Sequence, residues 1–132
     1  MLLGLGTDII EIRRVAKAIE RELFLARVFT QRERAYCEGR GAGRAASYAA
    51  RWAAKEAVLK AFGTGLRRGT LLDIEVVPDA LGAPEAHLFG YHADLAEERG
   101  VKRLWISLSH AREYAVAQCI LEGEQHEDRV GK

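Results

Sequence analysis

Between Arg51 and Gly65 the chain reads RWAAKEAVLKAFGTG, and this segment restricts the fold more than any other. At 100° per residue, Trp52, Lys55, Val58, Leu59 and Phe62 fall within one helical arc, so a lysine stands among residues that have to be buried. Such a lysine needs a partner, unless its stem runs past Trp52 to water. Glu56 and Lys60, four residues apart, share the neighbouring flank, which sets a carboxylate beside an ammonium at the edge of the core face. Gly63 and Gly65 then end the helix in a loop whose backbone N–H groups are open to close approach by a phosphate. Cations, a carboxylate and bare amides in one segment suggest a metal-bridged phosphate ester.

The rest of the chain supplies partners for that helix. Leu2 to Ile10 is a short apolar run punctuated by Gly4 and Gly6, which predicts a central strand passing closely under another backbone. Ile12, Val15, Ile19 and Leu23 predict one helix from Glu11 to about Arg27, and Thr30 with Glu33 forms a capping box for the next. Gly39, Arg40, Gly41 and Gly43 mark a basic loop before the long helix, expected over Arg44 to Phe62. A strand over Leu71 to Val77, a turn over Pro78 to Pro84 and a helix over His92 to Arg99 stopped by Gly100 follow. Lys102 to Ser109 and Glu113 to Leu121 alternate as a hairpin. The predicted class is α+β, a mixed and largely antiparallel sheet packed against one long helix.

The hydrophobic and charged fractions, 48% and 30% of 132 residues, suit a single globular domain, expected over residues 1–122 with a polar tail from Gly123 to Lys132. With 20 basic against 19 acidic residues the net charge is +1, so a nucleic-acid partner is not expected and any basic patch has to be local. The N-terminus lacks the basic leader and cleavage site of a signal peptide, and no run approaches a membrane span. Cys37 and Cys119 match no metal-ligand spacing, so free thiols and a cytoplasmic location are expected.

Two readings of Asp8 stand side by side. With Glu11 it forms D-x-x-E, a capping box for the following helix. With Glu56 it offers two carboxylates from separate elements to one hard cation, which completes its shell with water and substrate phosphate. Lys60 is either an exposed i, i+4 partner of Glu56 or a point charge that neutralises a leaving phosphate. His110 at the hairpin turn is either a surface residue or a donor to phosphate. Arg13, Arg14, Lys17 and Arg21 are either a solvated face or a docking surface for an acidic protein. No P-loop, G-x-G-x-x-G or nucleophile elbow is present.

These residues resemble the holo-acyl-carrier-protein synthases, the small bacterial phosphopantetheinyl transferases. GTDIIEIRRV at 6–15 is similar to the family's Gly-x-Asp followed by a basic residue on the next helix, and RWAAKEAVLKAFGTG carries its aromatic-x-x-Lys-Glu-Ala-x-x-Lys pattern. Phe29-Thr30 with Glu33, LGAP ending at Pro84, ISLSH at 106–110 and EYAVA at 113–117 extend the resemblance over nearly the whole chain. It implies the phosphopantetheinyl transferase fold and transfer of 4′-phosphopantetheine from coenzyme A to a serine of apo acyl carrier protein. It also implies Asp8 and Glu56 as Mg²⁺ ligands that, with Lys60, carry the chemistry. Arg44, Arg51, Lys60, Gly63, Thr64, Gly65, Pro84 and His110 would contact the coenzyme. Arg14, Arg21 and Arg27 would receive the carrier protein, in a homotrimer where Pro84 serves the neighbouring subunit's coenzyme. Leu23 and Ala83 depart from the family's basic residues at those places. The competing reading is a module that binds coenzyme A or a carrier protein without transfer.

Overall fold

The computed structural model describes residues 1–124. In chain order it comprises β1 (Leu2–Glu11), α1 (Ile12–Ala18), α2 (Glu22–Val28), α3 (Gln31–Glu38), α4 (Arg44–Phe62), β2 (Ile74–Pro78), β3 (Pro84–Leu88), α5 (Gly90–Glu98), β4 (Val101–His110) and β5 (Tyr114–Gly123). The class is α+β. Pairing is antiparallel throughout the described residues, in two sheets rather than one: β1-β5-β4 and β2-β3.

Helix α4 is the axis. From Ser47 to Phe62 every residue is buried except Trp52, Glu56 and Lys60, which follow at i, i+4 and i+8 and form one accessible stripe. A helix apolar on nearly every side belongs inside a core. It packs chiefly on β1 and β5, where Ala115, Ala117, Cys119 and Leu121 alternate inward from β5. On β1 the contact is backbone on backbone. A Cβ at Gly6 would land on the carbonyl oxygen of Ala57, and one at Gly4 on that of Ala61. The close approach read from the two glycines is therefore present, but β1 is an edge strand; β5 lies in the centre.

Two further expectations are corrected. The helix expected from Glu11 to Arg27 is two helices, because Arg21 is extended (φ −99°, ψ 120°) and resets the phase. Leu23 consequently faces solvent at 69% exposure, while Leu25 and Val28 enter the core in its place. Asp8 caps nothing: β1 continues to Glu11, the residue preceding α1, and no side chain bonds that helix start. The Thr30 box does form, with Glu33 N–H donating to Thr30 Oγ1 at 3.2 Å and Thr30 N–H donating to Glu33 Oε1 at 2.8 Å. Gly123 ends β5 and its N–H reaches the Met1 carbonyl at 3.0 Å; residues 125–132, which hold most of the expected polar tail, lie outside the described part.

Lys55 does not reach water past Trp52. It is fully buried, and its Nζ meets Glu33 Oε1 at 2.8 Å, Leu71 O at 2.9 Å and Ile74 O at 2.6 Å, which satisfies all the donors of an ammonium. The other Glu33 oxygen accepts from Val76 N–H at 2.7 Å. Burial pushes Glu33 up and Lys55 down from their ordinary values, and each charge opposes the other's shift. Four segments thus meet at one ion pair: the start of α3, the middle of α4, the turn Leu71–Asp73 and strand β2. Thr30 Oγ1 adds a bond to Glu75 Oε2 at 2.6 Å, and Arg32 Nη1 pairs with Glu75 Oε1 at 3.1 Å. Replacing Lys55 by Met leaves Glu33 buried and unpaired, so Lys55→Met should destabilise by about 3–5 kcal/mol in urea unfolding. The double variant Glu33→Gln, Lys55→Met should recover much of that loss.

Candidate active site

The stripe of α4 opens toward the β1 edge. Lys60 Nζ donates to Asp8 Oδ1 at 2.9 Å and to the Thr7 carbonyl at 3.1 Å. Its principal contact is thus Asp8 across the strand, not Glu56 one turn below. Glu56 is held above the usual carboxylate range by burial first and by the charge of Asp8 second, with Lys60 opposing. The charge of Asp8 therefore reaches Glu56 directly and raises the cost of ionising it. No set of three or more His, Cys, Asp or Glu side chains gathers as a metal site among the described residues. Two carboxylates that repel across a partly open edge nevertheless fit a hard divalent cation, which commonly takes one or two protein carboxylates and leaves its other positions to water and phosphate.

The glycine loop differs from expectation in one respect. Gly63 adopts φ 76° and its N–H donates to the Leu59 and Lys60 carbonyls, each at 3.0 Å, so this amide closes the helix and does not face a ligand. The Thr64 and Gly65 amides take no backbone partner among the described residues, and Gly65 has φ 62°. The backbone donors available to an anion therefore begin at Thr64.

A second group converges elsewhere. Arg51, Pro84 and His110 line a cleft of about 290 Å³ together with Tyr36, Arg40 and Ser47; Asp8, Glu56 and Lys60 are not among its walls. Register explains the separation, since Ile10 and His110 both pair with Ala115 on opposite sides of β5. Arg51 is only 6% exposed. Its Nη1 reaches Ser47 O at 3.3 Å and Oγ at 3.2 Å, its guanidinium lies 4.3 Å from the Tyr36 ring centre, and its buried Nε has no partner. An unpartnered donor on a buried cation, next to an open cleft, suits an anionic group.

Arg44 does not line this cleft. It pairs with Glu38 at 2.8 Å and lies over the Tyr48 ring, and its hydrogen bond is the main cause that holds Glu38 below its ordinary value. Arg40 is there instead, 5.3 Å from the Tyr36 ring centre. In the sequence Arg40 marks only a basic loop; its i, i+4 spacing from Tyr36 is the local signal that sets it beside that ring.

The basic residues of the first helices divide between faces. Arg14, Lys17 and Arg21 border a groove of about 540 Å³ that includes Phe24 and Trp52, whose ring centres are 4.9 Å apart edge to face. Arg21 and Arg27 border the adjoining groove with Leu23, while Arg13 lies in a different depression with Glu11 and Arg112. The cysteines offer no nucleophile: burial pushes the Cys119 thiol up to about 12 and raises Cys37 as well. No helix among the described residues is long and apolar enough to cross a membrane.

Residues 4–119 match the 4′-phosphopantetheinyl transferase superfamily. The chain is 45% identical over 130 residues to a holo-[acyl-carrier-protein] synthase of Ruminiclostridium cellulolyticum, covering 96% of this chain and 97% of that protein. It is 47% identical over 126 residues to the one from Geobacter sulfurreducens, covering 92% and 98%. Among solved structures, the holo-(acyl-carrier-protein) synthase of Bacillus anthracis in complex with CoA (3′,5′-ADP) superposes with a TM-score of 0.78 at 36% identity, covering 94% and 99% of the two chains. A lysine paired with Asp8 one turn from Glu56, set on a fold and a sequence shared over this length, belongs to a chain that is a member of the 4′-phosphopantetheinyl transferase superfamily.

Proposed function

We propose that this chain is a Mg²⁺-dependent holo-[acyl-carrier-protein] synthase, transferring 4′-phosphopantetheine from coenzyme A to a serine hydroxyl of apo acyl carrier protein and releasing adenosine 3′,5′-bisphosphate. The observation that carries this reading is the Asp8–Glu56 pair, in which burial and the charge of Asp8 hold Glu56 above its ordinary value, flanked by Lys60 beside the Thr64–Gly65 loop. An intact pair and lysine favour transfer over a module that only binds.

Asp8 and Glu56 would hold the cation, which when bound neutralises and orients the diphosphate. Lys60, 57% exposed at its side chain, swings from Asp8 onto the diphosphate and offsets charge that develops on the leaving phosphate. The Thr64 and Gly65 amides add fixed donors. The serine oxygen attacks the phosphorus that bears the pantetheine arm, its proton passes to solvent, and the bond to the 5′-phosphate of the nucleotide breaks in line, releasing adenosine 3′,5′-bisphosphate. Arg51, with its unpartnered Nε, and Arg40 and His110 receive the nucleotide's 3′-phosphate in the cleft beside Pro84.

That cleft excludes Asp8, Glu56 and Lys60, which supports a homotrimer in which neighbouring subunits each contribute one half of an active site. The outer sheet face supports it too. Leu5, Ile120 and Trp105 form one cross-strand row, and Leu5, Ile9 and Trp105 stand 67%, 61% and 46% exposed. Arg14, Arg21 and Arg27 dock the acidic carrier protein, with Phe24 and Trp52 as the apolar part of the groove. Buried free thiols suit a reducing compartment, and we assign the activity to the cytoplasm.

Intact-mass analysis of apo acyl carrier protein with coenzyme A should show one added phosphopantetheine only with Mg²⁺. Glu56→Gln should nearly abolish it; full activity in Glu56→Gln would remove the proposed metal site. A second readout needs no turnover. The raised Glu56 pKa means that the folded protein holds this proton more tightly than the unfolded chain, so stability is lost as pH rises through the folded value. Mg²⁺ should therefore raise Tm well above that value and have little effect below the ordinary 4.5, where Glu56 is protonated in both states. Glu56→Gln should blunt that Mg²⁺-linked rise. Arg14→Glu should raise KM for carrier protein more than KM for coenzyme A; equal changes would count against the docking groove.

A further inference from the structure

The loop proposed to meet the diphosphate leaves the C-terminal end of α4, which is the wrong end of a helix for an anion. Aligned peptide dipoles place roughly half a negative charge there, and anions ordinarily bind at helix N-termini. Gly63 N–H covers the Leu59 and Lys60 carbonyls, but the carbonyl of Phe62 would remain exposed at the start of the loop. Arg99, the residue that ends α5, donates from Nη1 to that carbonyl, and its guanidinium lies 5.9 Å from the Phe62 ring centre. The peptide joining Phe62 to Gly63 is thus held at both polar atoms, its oxygen by Arg99 and its N–H by the helix. A cation from another element stands at the negative pole of α4, directly beside the loop.

We propose that Arg99 is a positioning residue for coenzyme A: it cancels the C-terminal potential of α4 and fixes the peptide plane from which the Thr64–Gly65 donors project. This inference rests on the reading that the diphosphate lies at Lys60 and this loop. Arg99 touches no substrate. Its effect passes through the Phe62 carbonyl and through its charge.

The test is calorimetric binding of coenzyme A to Arg99→Gln, Arg99→Lys and Lys60→Ala, with steady-state kinetics on carrier protein. Arg99→Gln keeps a side-chain donor for the carbonyl but removes the charge, and it should weaken coenzyme A binding by about fivefold. KM for carrier protein should stay within about twofold, the deficit should shrink in high salt, and Arg99→Lys should restore most of the affinity. Lys60→Ala, which removes a proposed direct contact, should also weaken coenzyme A binding. Unchanged affinity in folded Arg99→Gln, alongside a loss in Lys60→Ala, would overturn the role of Arg99 and leave the diphosphate site standing. Unchanged affinity in both would overturn the site and the inference together. Should Arg99→Gln not fold, Arg99→Lys decides: affinity near wild type supports the charge role, and a loss as large as that of Lys60→Ala overturns it.

Discussion

The buried pair of Lys55 and Glu33 is the constraint on which the remaining structure hangs. An ammonium inside a core is tolerated only where every proton has an acceptor, and the acceptors here come from α3, from the turn after the glycine loop and from the entry to β2. None of those segments can shift without leaving a charge exposed to hydrocarbon. Because Lys55 precedes Glu56, the same fixation sets the rotation of α4. With Lys55 turned inward, Glu56 and Lys60 have to emerge on the β1 side, where Asp8 stands.

Secondary structure was largely legible because it is local. The α4 helix, the terminal hairpin and the Thr30 capping box each depend on spacings of two to four residues. What escaped reading depends on distant partners. The edge position of β1 is decided by which strand β5 chooses to flank. The break at Arg21 is decided by Leu25 and Val28 finding the core, against a stripe that continued smoothly through Leu23. The partner of Lys55 was invisible for the same reason: Glu33 was fully accounted for as a capping residue, and nothing local announces that its second oxygen turns inward to β2.

The candidate site shows the same division. The motif around Glu56 and Lys60 stood out, and the fold brings both to Asp8. The cleft lined by Arg51 and His110 was harder, because Arg44 and Arg40 are equally basic and only the structure shows Arg44 engaged by Glu38. Gly63 likewise carried two incompatible roles on paper, helix terminator and anion donor, and one N–H cannot serve both.

Gly4 and Gly6 bring β1 against α4 with no side chain between them, and Asp8 is the next residue on that same face. The distance from strand to helix is then set by peptide atoms in contact, a spacer whose thickness no mutation of a core aliphatic can alter. The carboxylate of Asp8 is thereby decoupled from the slow exchange of Leu, Ile and Val that reshapes cores over evolutionary time. Packing around the helix can change while the two acids keep one gauge.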